Sequence, residues 1–282
     1  MAKHEDGKLN KLLAQLPEGA VVDAAWLSER GYSTSLRSQY VSAGWLEQPA
    51  RRLYRRPRGT LSWEQVVISL QTVLDFPVLV GGRTALELQG FAHYLPAHIR
   101  EVHLYADKPL PGWIDHLRLG VDFRKHNSHR LFANQPITLA PTNLTSDTRA
   151  LQAASNDPIH GSVKRLPWGH WEWPLTVSTP ERAFLEMLDE LPKHESFHQV
   201  DKLMEGLATL SPRRLAKLLH DCKSVKVKRL FFFFAFRHRH RWLLQLDPED
   251  FDLGSGKRML APGGKLDKRF NITAPGDLDG QP

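Results

Sequence analysis

The sequence is poor in cysteine: Cys222 stands alone among 282 residues. An intrachain disulfide is therefore excluded, and with it a zinc site built from cysteine pairs. Long apolar runs are missing too. The longest, 230–236, has seven residues, against the roughly 18 that a membrane span requires. The opening MAKHEDGKLNKLL lacks the apolar centre of a secretory leader. These absences predict a cytoplasmic protein with no membrane partner. Acids are scarce where bases gather. Residues 33–58 carry six arginines against a single acid, Glu47, and 223–241 carry seven Lys and Arg with no acid. The net charge of +7 is thus concentrated in blocks, which suit polyanionic partners.

The rest of the chain reads as an α+β protein with a domain at 1–58 and a larger one at 60–282. Helical segments are expected at 8–16, at 22–30 (capped by Asp23, closed by Gly31) and at 34–43 (capped by Ser33). Extended segments Trp45–Glu47 and Arg52–Arg55 follow, with a turn containing Pro49 between them. Helix, helix, helix, hairpin is the order of a winged helix-turn-helix. From Thr60 or Ser62 a new helix, WEQVVISLQTVL, opens the second domain. Mixed strands and helices are expected over 60–178, including strands at 78–80, 102–106, 121–124, 137–140 and 173–177. Helices fill 179–241, starting at Thr179-Pro180, and 242–282 is a Gly- and Pro-rich tail with one strand at 269–273.

Residues 32–58, YSTSLRSQYVSAGWLEQPARRLYRRPR, form the candidate binding stretch. In the third helix Leu36, Tyr40 and Ala43 fall at i, i+4 and i+7 and are expected to face inward. Thr34, Ser35, Arg37, Ser38 and Gln39 then lie outward. Arg suits guanine, Gln suits adenine, and Ser or Thr serves bases or phosphates. The hairpin arginines Arg51, Arg52, Arg55, Arg56 and Arg58 suit backbone phosphates, which position a protein without specifying sequence. The bland alternative is an amphipathic helix beside a solvated basic hairpin.

At GWLEQPARRLYRRP, GGRTALELQGFAHYLP, TPERAFLEMLDELP, VKRLFFFFAFRHRHRW and the tail DLGSGKRMLAPGGKLDKRFNITAPGDL, the sequence resembles the AbiEi-type antitoxins. These are the antitoxin half of bacterial type IV toxin–antitoxin and abortive-infection systems. The ordered set spans nearly the whole chain. The resemblance implies a transcriptional autorepressor that binds double-stranded promoter DNA through its N-terminal domain. It also implies a counteracted partner, an AbiEii-type nucleotidyltransferase toxin.

Several constellations invite chemistry. GGRTALEL after a strand resembles the opening of a nucleotidyltransferase fold, but the next strand lacks the paired carboxylates that hold catalytic metal. GSGK at 254–257 lacks phosphate-loop spacing, and Arg258 stands where Ser or Thr would be. The scattered histidines, His160, His170, His194 and His198 among them, show no convincing metal spacing except His194/His198 at i, i+4, which lacks the Glu of a metalloprotease helix. No catalytic residue, metal or cofactor is expected. Lys226, Lys228, Arg229, Arg237, Arg239, Arg241, Lys257 and Arg258 form either a solvated collar or a toxin-neutralisation surface. The readings that compete with an antitoxin are a nucleotidyltransferase-fold enzyme using GGRTALEL and a stand-alone winged-helix regulator.

Overall fold

A computed structural model of the chain describes residues 2–91, 99–134 and 162–280. The N-terminal unit runs α1 (Ala2–Gln15), β1 (Val21–Asp23), α2 (Ala24–Glu29), α3 (Thr34–Ser42), β2 (Glu47–Ala50) and β3 (Leu53–Arg55). Its three strands form an antiparallel sheet in the order β1-β3-β2. Sequence pattern assigns Val22 and Asp23 to a helix; the structure makes them a strand. Val21, Val22 and Asp23 pair with Arg55, Tyr54 and Leu53, a non-local pairing that buries both valines. Asp23 still caps α2, accepting the Trp26 N–H at 2.8 Å. Gly31 follows at φ 82°, a left-handed conformation that glycine adopts without steric cost.

The hairpin turns later than expected. Pro49 lies within β2, which is the edge strand of its sheet, the position where a proline costs no ladder bond. The reversal falls at Arg51-Arg52, between the paired Ala50 and Leu53, with Arg52 at φ 68°.

α4 (Trp63–Thr72) is capped by Ser62 in a reciprocal box with Gln65. It joins the two halves of the molecule. Ser69 on α4 accepts the buried Val21 N–H through its hydroxyl at 2.9 Å. Two residues on, buried Gln71 donates to the carbonyls of Val78 and Thr176 and accepts the Thr176 N–H. Those groups belong to β4 (Val78–Val80) and β8 (Trp173–Ser178) of a five-stranded sheet ordered β6-β5-β4-β8-β7. The others are β5 (Glu101–Ala106), β6 (Asp122–Asn127) and β7 (Val163–Trp168). β4/β8 and β5/β6 are parallel, while β4/β5 and β7/β8 are antiparallel. β7 has no counterpart among the strands expected from sequence, and the strand expected at 137–140 lies outside the described residues.

Between β4 and β5 lies α5 (Gly82–Leu88), and between β5 and β6 a short 3-10 helix, Gly112–His116. After β8 come α6 (Pro180–Asp189), α7 (Phe197–Gly206), α8 (Pro212–Asp221) and α9 (Val225–His238). Thr179 occupies the N-cap of α6, but its hydroxyl makes no capping bond. α9 buries Phe231, Phe232, Phe233 and Phe234, four consecutive rings of the apolar run. A two-stranded sheet, β9 (Lys265–Asp267) with β10 (Ile272–Ala274), closes the tail. One apolar cluster runs from Leu27 and Leu53 through Ile68 and Leu70 on α4 to Val80, Leu104, Leu188 and Phe231.

Candidate nucleic-acid interface

Helix α3 begins at Ser33, whose hydroxyl accepts the Leu36 N–H at 3.3 Å. Thr34, Ser35, Ser38 and Gln39 are exposed along its outer face. The structure corrects the position of Arg37. It is 6% exposed, and its guanidinium turns back toward α2. Nη1 donates to the Ala24 carbonyl at 2.6 Å and to Ser28 Oγ at 3.3 Å, and Nη2 donates to Thr34 Oγ1 at 2.8 Å. Ala43, expected to face inward, is exposed instead. The buried stripe is rotated by about one residue because α3 has few apolar side chains to define it, and Arg37 lies where that stripe meets α2.

The hairpin arginines divide the same way. Arg55 is 5% exposed; its Nε donates to Glu47 Oε2 at 2.8 Å and its Nη2 to the Gly59 carbonyl at 2.6 Å. Arg56 and Arg58 both pair with Glu18, at 2.9 and 2.7 Å. Sequence pattern assigns these three to phosphates; Arg55 and Arg56 are held by the protein's own acceptors, while Arg58 stays exposed beside Glu18. Arg51 and Arg52 remain exposed at the hairpin tip. The Arg52 carbonyl accepts the Ala24 N–H at 2.8 Å, which ties the tip to the start of α2.

Half of the eight C-terminal cations are structural. Lys226 Nζ donates to the Asp189 and Leu191 carbonyls at 2.5 and 3.0 Å, and Lys228 is buried. Arg237 and His238 share the Asp201 carboxylate at 3.0 and 2.8 Å. Burial alone would raise that carboxyl, but these two hydrogen bonds outweigh it and hold Asp201 down at about 2. Arg229 is 2% exposed. Its guanidinium donates to the carbonyls of Leu253 (2.6 Å), Gly256 (2.6 Å), Gly254 (2.9 Å) and Asn271 (3.3 Å). GSGK therefore turns carbonyls toward a cation of its own chain, the reverse polarity of a phosphate cradle. Arg239, Arg241, Lys257 and Arg258 stay exposed.

The Gly-Gly turn has a packing explanation. A side chain on Gly81 would lie 2.2 Å from Glu186 Oε2 and 2.5 Å from the Tyr105 ring. Glu186 is buried and accepts the Gly82 N–H (2.9 Å), the Ser178 hydroxyl (2.8 Å) and Arg182 Nε (2.7 Å). The turn's N–H already has an anion in place, so it is not open to a phosphate.

Beside it lies a polar cluster that no local motif signals. His103 and His126 stack with ring nitrogens 3.1 Å apart, and Tyr105 stacks on His126. Glu101 contacts His103 at 3.0 Å and accepts both arms of Arg124 at 2.8 and 2.7 Å. Glu190 lies 3.5 Å from His126, and Glu195 pairs with Arg83. Burial pushes His103 down to about 4, and burial with the neighbouring His103 and Arg124 pushes His126 down to about 3. Both imidazoles are neutral near pH 7. Among the described residues no group of three or more His, Cys, Asp or Glu is arranged to hold a metal ion.

A family model described as "Transcriptional regulator, AbiEi antitoxin, Type IV TA system" matches residues 100–275. A second, for the AbiEi antitoxin N-terminal domain of the same regulators, matches 5–97. No curated protein matches the chain. Among solved structures, the crystal structure of RV2827C protein from Mycobacterium tuberculosis superposes with a TM-score of 0.55 at 16% identity. It covers 94% of this chain and 88% of that one. At that identity the likeness is one of fold.

Proposed function

The chain belongs to the AbiEi family of type IV antitoxins and transcriptional regulators, and from that premise we propose that residues 1–58 are a winged helix-turn-helix that reads promoter DNA of its own operon. The observation that carries this reading is the surface of α3 beside the hairpin tip. Thr34, Ser35, Ser38 and Gln39 are exposed hydrogen-bonding side chains on the first turns of one helix. Next in the chain after that helix, Arg51 and Arg52 make no ion pair among the described residues. Such a helix docks its N-terminal turns against base edges in the major groove, while the wing tip grips phosphates and supplies most of the salt-dependent affinity. Residues 60–282 then carry the counteraction of a nucleotidyltransferase toxin in the cytoplasm, with Arg239, Arg241, Lys257 and Arg258 as the exposed cations of that surface.

The decisive experiment is a band shift of the duplex upstream of the gene with the full chain and with Arg51→Ala/Arg52→Ala. The double variant should bind more weakly to every sequence and lose about 0.9 from the salt slope for each phosphate contact removed. Unchanged affinity and slope would refute the docking. Co-expression with an adjacent nucleotidyltransferase gene tests the second half: rescue of growth supports the antitoxin role, and failure to rescue leaves a stand-alone regulator.

A further inference from the structure

A cleft of about 450 Å³ opens between the N-terminal unit and the 3-10 helix Gly112–His116. From the first side come Asp23, Arg37, Arg52 and Tyr54, and from the second Pro111 and Trp113. Its size falls within the roughly 300–1,000 Å³ of small-molecule sites. The lining mixes three kinds of group. Tyr54 and Trp113 give an aromatic ring from each side of the seam, and stacking on such rings tolerates any flat base. Arg52 is an exposed guanidinium without an ion-pair partner among the described residues, suited to a phosphate. Asp23 is a carboxylate, the acceptor that suits an exocyclic amino group.

Two side chains of this lining also carry a buried N–H that lacks an acceptor among the described residues. Arg37 Nε and Trp113 Nε1 make no hydrogen bond among the described residues. The two residues are 6% and 8% exposed. Buried donors are nearly always paired, so unpaired ones call for a specific explanation. We infer that this cleft binds a nucleotide unit, a phosphate carrying a flat base, placed between the α2–α3 pair and the second half of the molecule. The same chemistry could arrive as a free mononucleotide or as one unit of bound DNA.

The test uses the full chain, labelled so that the Trp113 indole N–H is read by NMR and identified as the resonance lost in Trp113→Phe. The probes are the four ribonucleoside 5′-monophosphates, the matching nucleosides, inorganic phosphate and duplex promoter DNA. A saturable shift of that resonance by a monophosphate below about 1 mM, with nucleoside and phosphate each roughly tenfold weaker, is expected for a free nucleotide. In that case Trp113→Ala loses monophosphate binding yet binds DNA as the parent does. If DNA alone moves the resonance and Trp113→Phe weakens DNA binding several-fold, the unit comes from DNA. No movement with any probe overturns the inference, and so does an equal response to inorganic phosphate. The monophosphate arm needs no promoter, so loss of the DNA-reading function would leave it standing.

Discussion

The two basic blocks of this chain look alike in sequence and differ in what they leave free. In the N-terminal unit Arg37, Arg55, Arg56 and Arg58 are occupied by carbonyls, hydroxyls and carboxylates of the protein, and a row of neutral hydrogen-bonding side chains remains on α3. At the C-terminal end Arg229 and Lys226 are occupied by carbonyls, and what remains is charge alone: Arg239, Arg241, Lys257 and Arg258. A surface with donors and acceptors on one helix can distinguish bases; a scatter of cations attracts polyanions without distinguishing them. Counting arginines therefore says little until their partners are known.

The largest test of this contrast is Arg229. Arg229→Met keeps the apolar stem but leaves four carbonyls without their cationic donor. Breaking a buried charged network costs about 3–5 kcal/mol, so the urea midpoint should fall steeply. Arg258→Ala, on the exposed side of the same region, should stay within about 0.5 kcal/mol. Equal effects of the two would erase the distinction between strut and surface charge.

Acid should act on the second half of the molecule. In the folded chain His103 titrates at about 4 and His126 at about 3, below the ordinary 6.5. The unfolded chain then binds more protons than the folded one as pH falls below about 6.5, and stability is lost progressively from there down to about 3. Each pH unit between the folded and unfolded values of a group is worth about 1.4 kcal/mol, so the coupled pair should give a loss of a few kcal/mol. Unfolding curves at stepped pH would show it, and His126→Gln should flatten the dependence. A parent curve flat over that window would mean that the pair is not buried as described.

Next in size is Arg37. As a buried tie between α2 and α3 it should cost about 2 kcal/mol of stability when changed to Ala. In the proposed docking, Arg37→Ala should weaken DNA binding for every sequence alike, because its guanidinium ties α2 to α3 and is turned away from the outer face of α3. Loss of preference at one base pair would restore Arg37 as a reader.

Local signals are legible in the sequence. Asp23 and Ser33 cap the helices they are expected to cap, and Ser62, one of two candidates with Thr60, caps α4, because a cap is decided within four residues; Thr179 takes its N-cap position without the bond. What depends on distant pairing is not. β1 looks like the start of a helix because its partner Leu53–Arg55 is about 30 residues away. β7 is obscured by Lys164, Arg165 and Pro167 and exists through its ladder with β8. The His103–His126 contact follows from the parallel register of β5 and β6, which sets His103 beside Arg124 and Tyr105 beside His126. No spacing rule joins histidines on separate strands. Arg37 defeats the helical pattern for a related reason: the stripe identifies candidates for the inner face, but the groups of α2 decide which one goes in.

The smallest effect is the most discriminating. Gln39 is exposed on α3 and has no side-chain hydrogen bond or ion pair to lose among the described residues, so Gln39→Ala should leave stability within about 0.5 kcal/mol. If the outer face of α3 reads bases, a side chain contacting one base edge is worth about 1–3 kcal/mol of discrimination there. The variant should then bind the native promoter several-fold to about a hundredfold more weakly and bind unrelated duplex unchanged, with the same salt slope. Arg51→Ala/Arg52→Ala should do the reverse, weakening both duplexes together and lowering the slope. Competition band shifts at two salt concentrations separate these outcomes. If Gln39→Ala weakened native and unrelated duplex equally, α3 would be gripping backbone as the wing tip does, and the contrast between a reading face and a charged face would be lost.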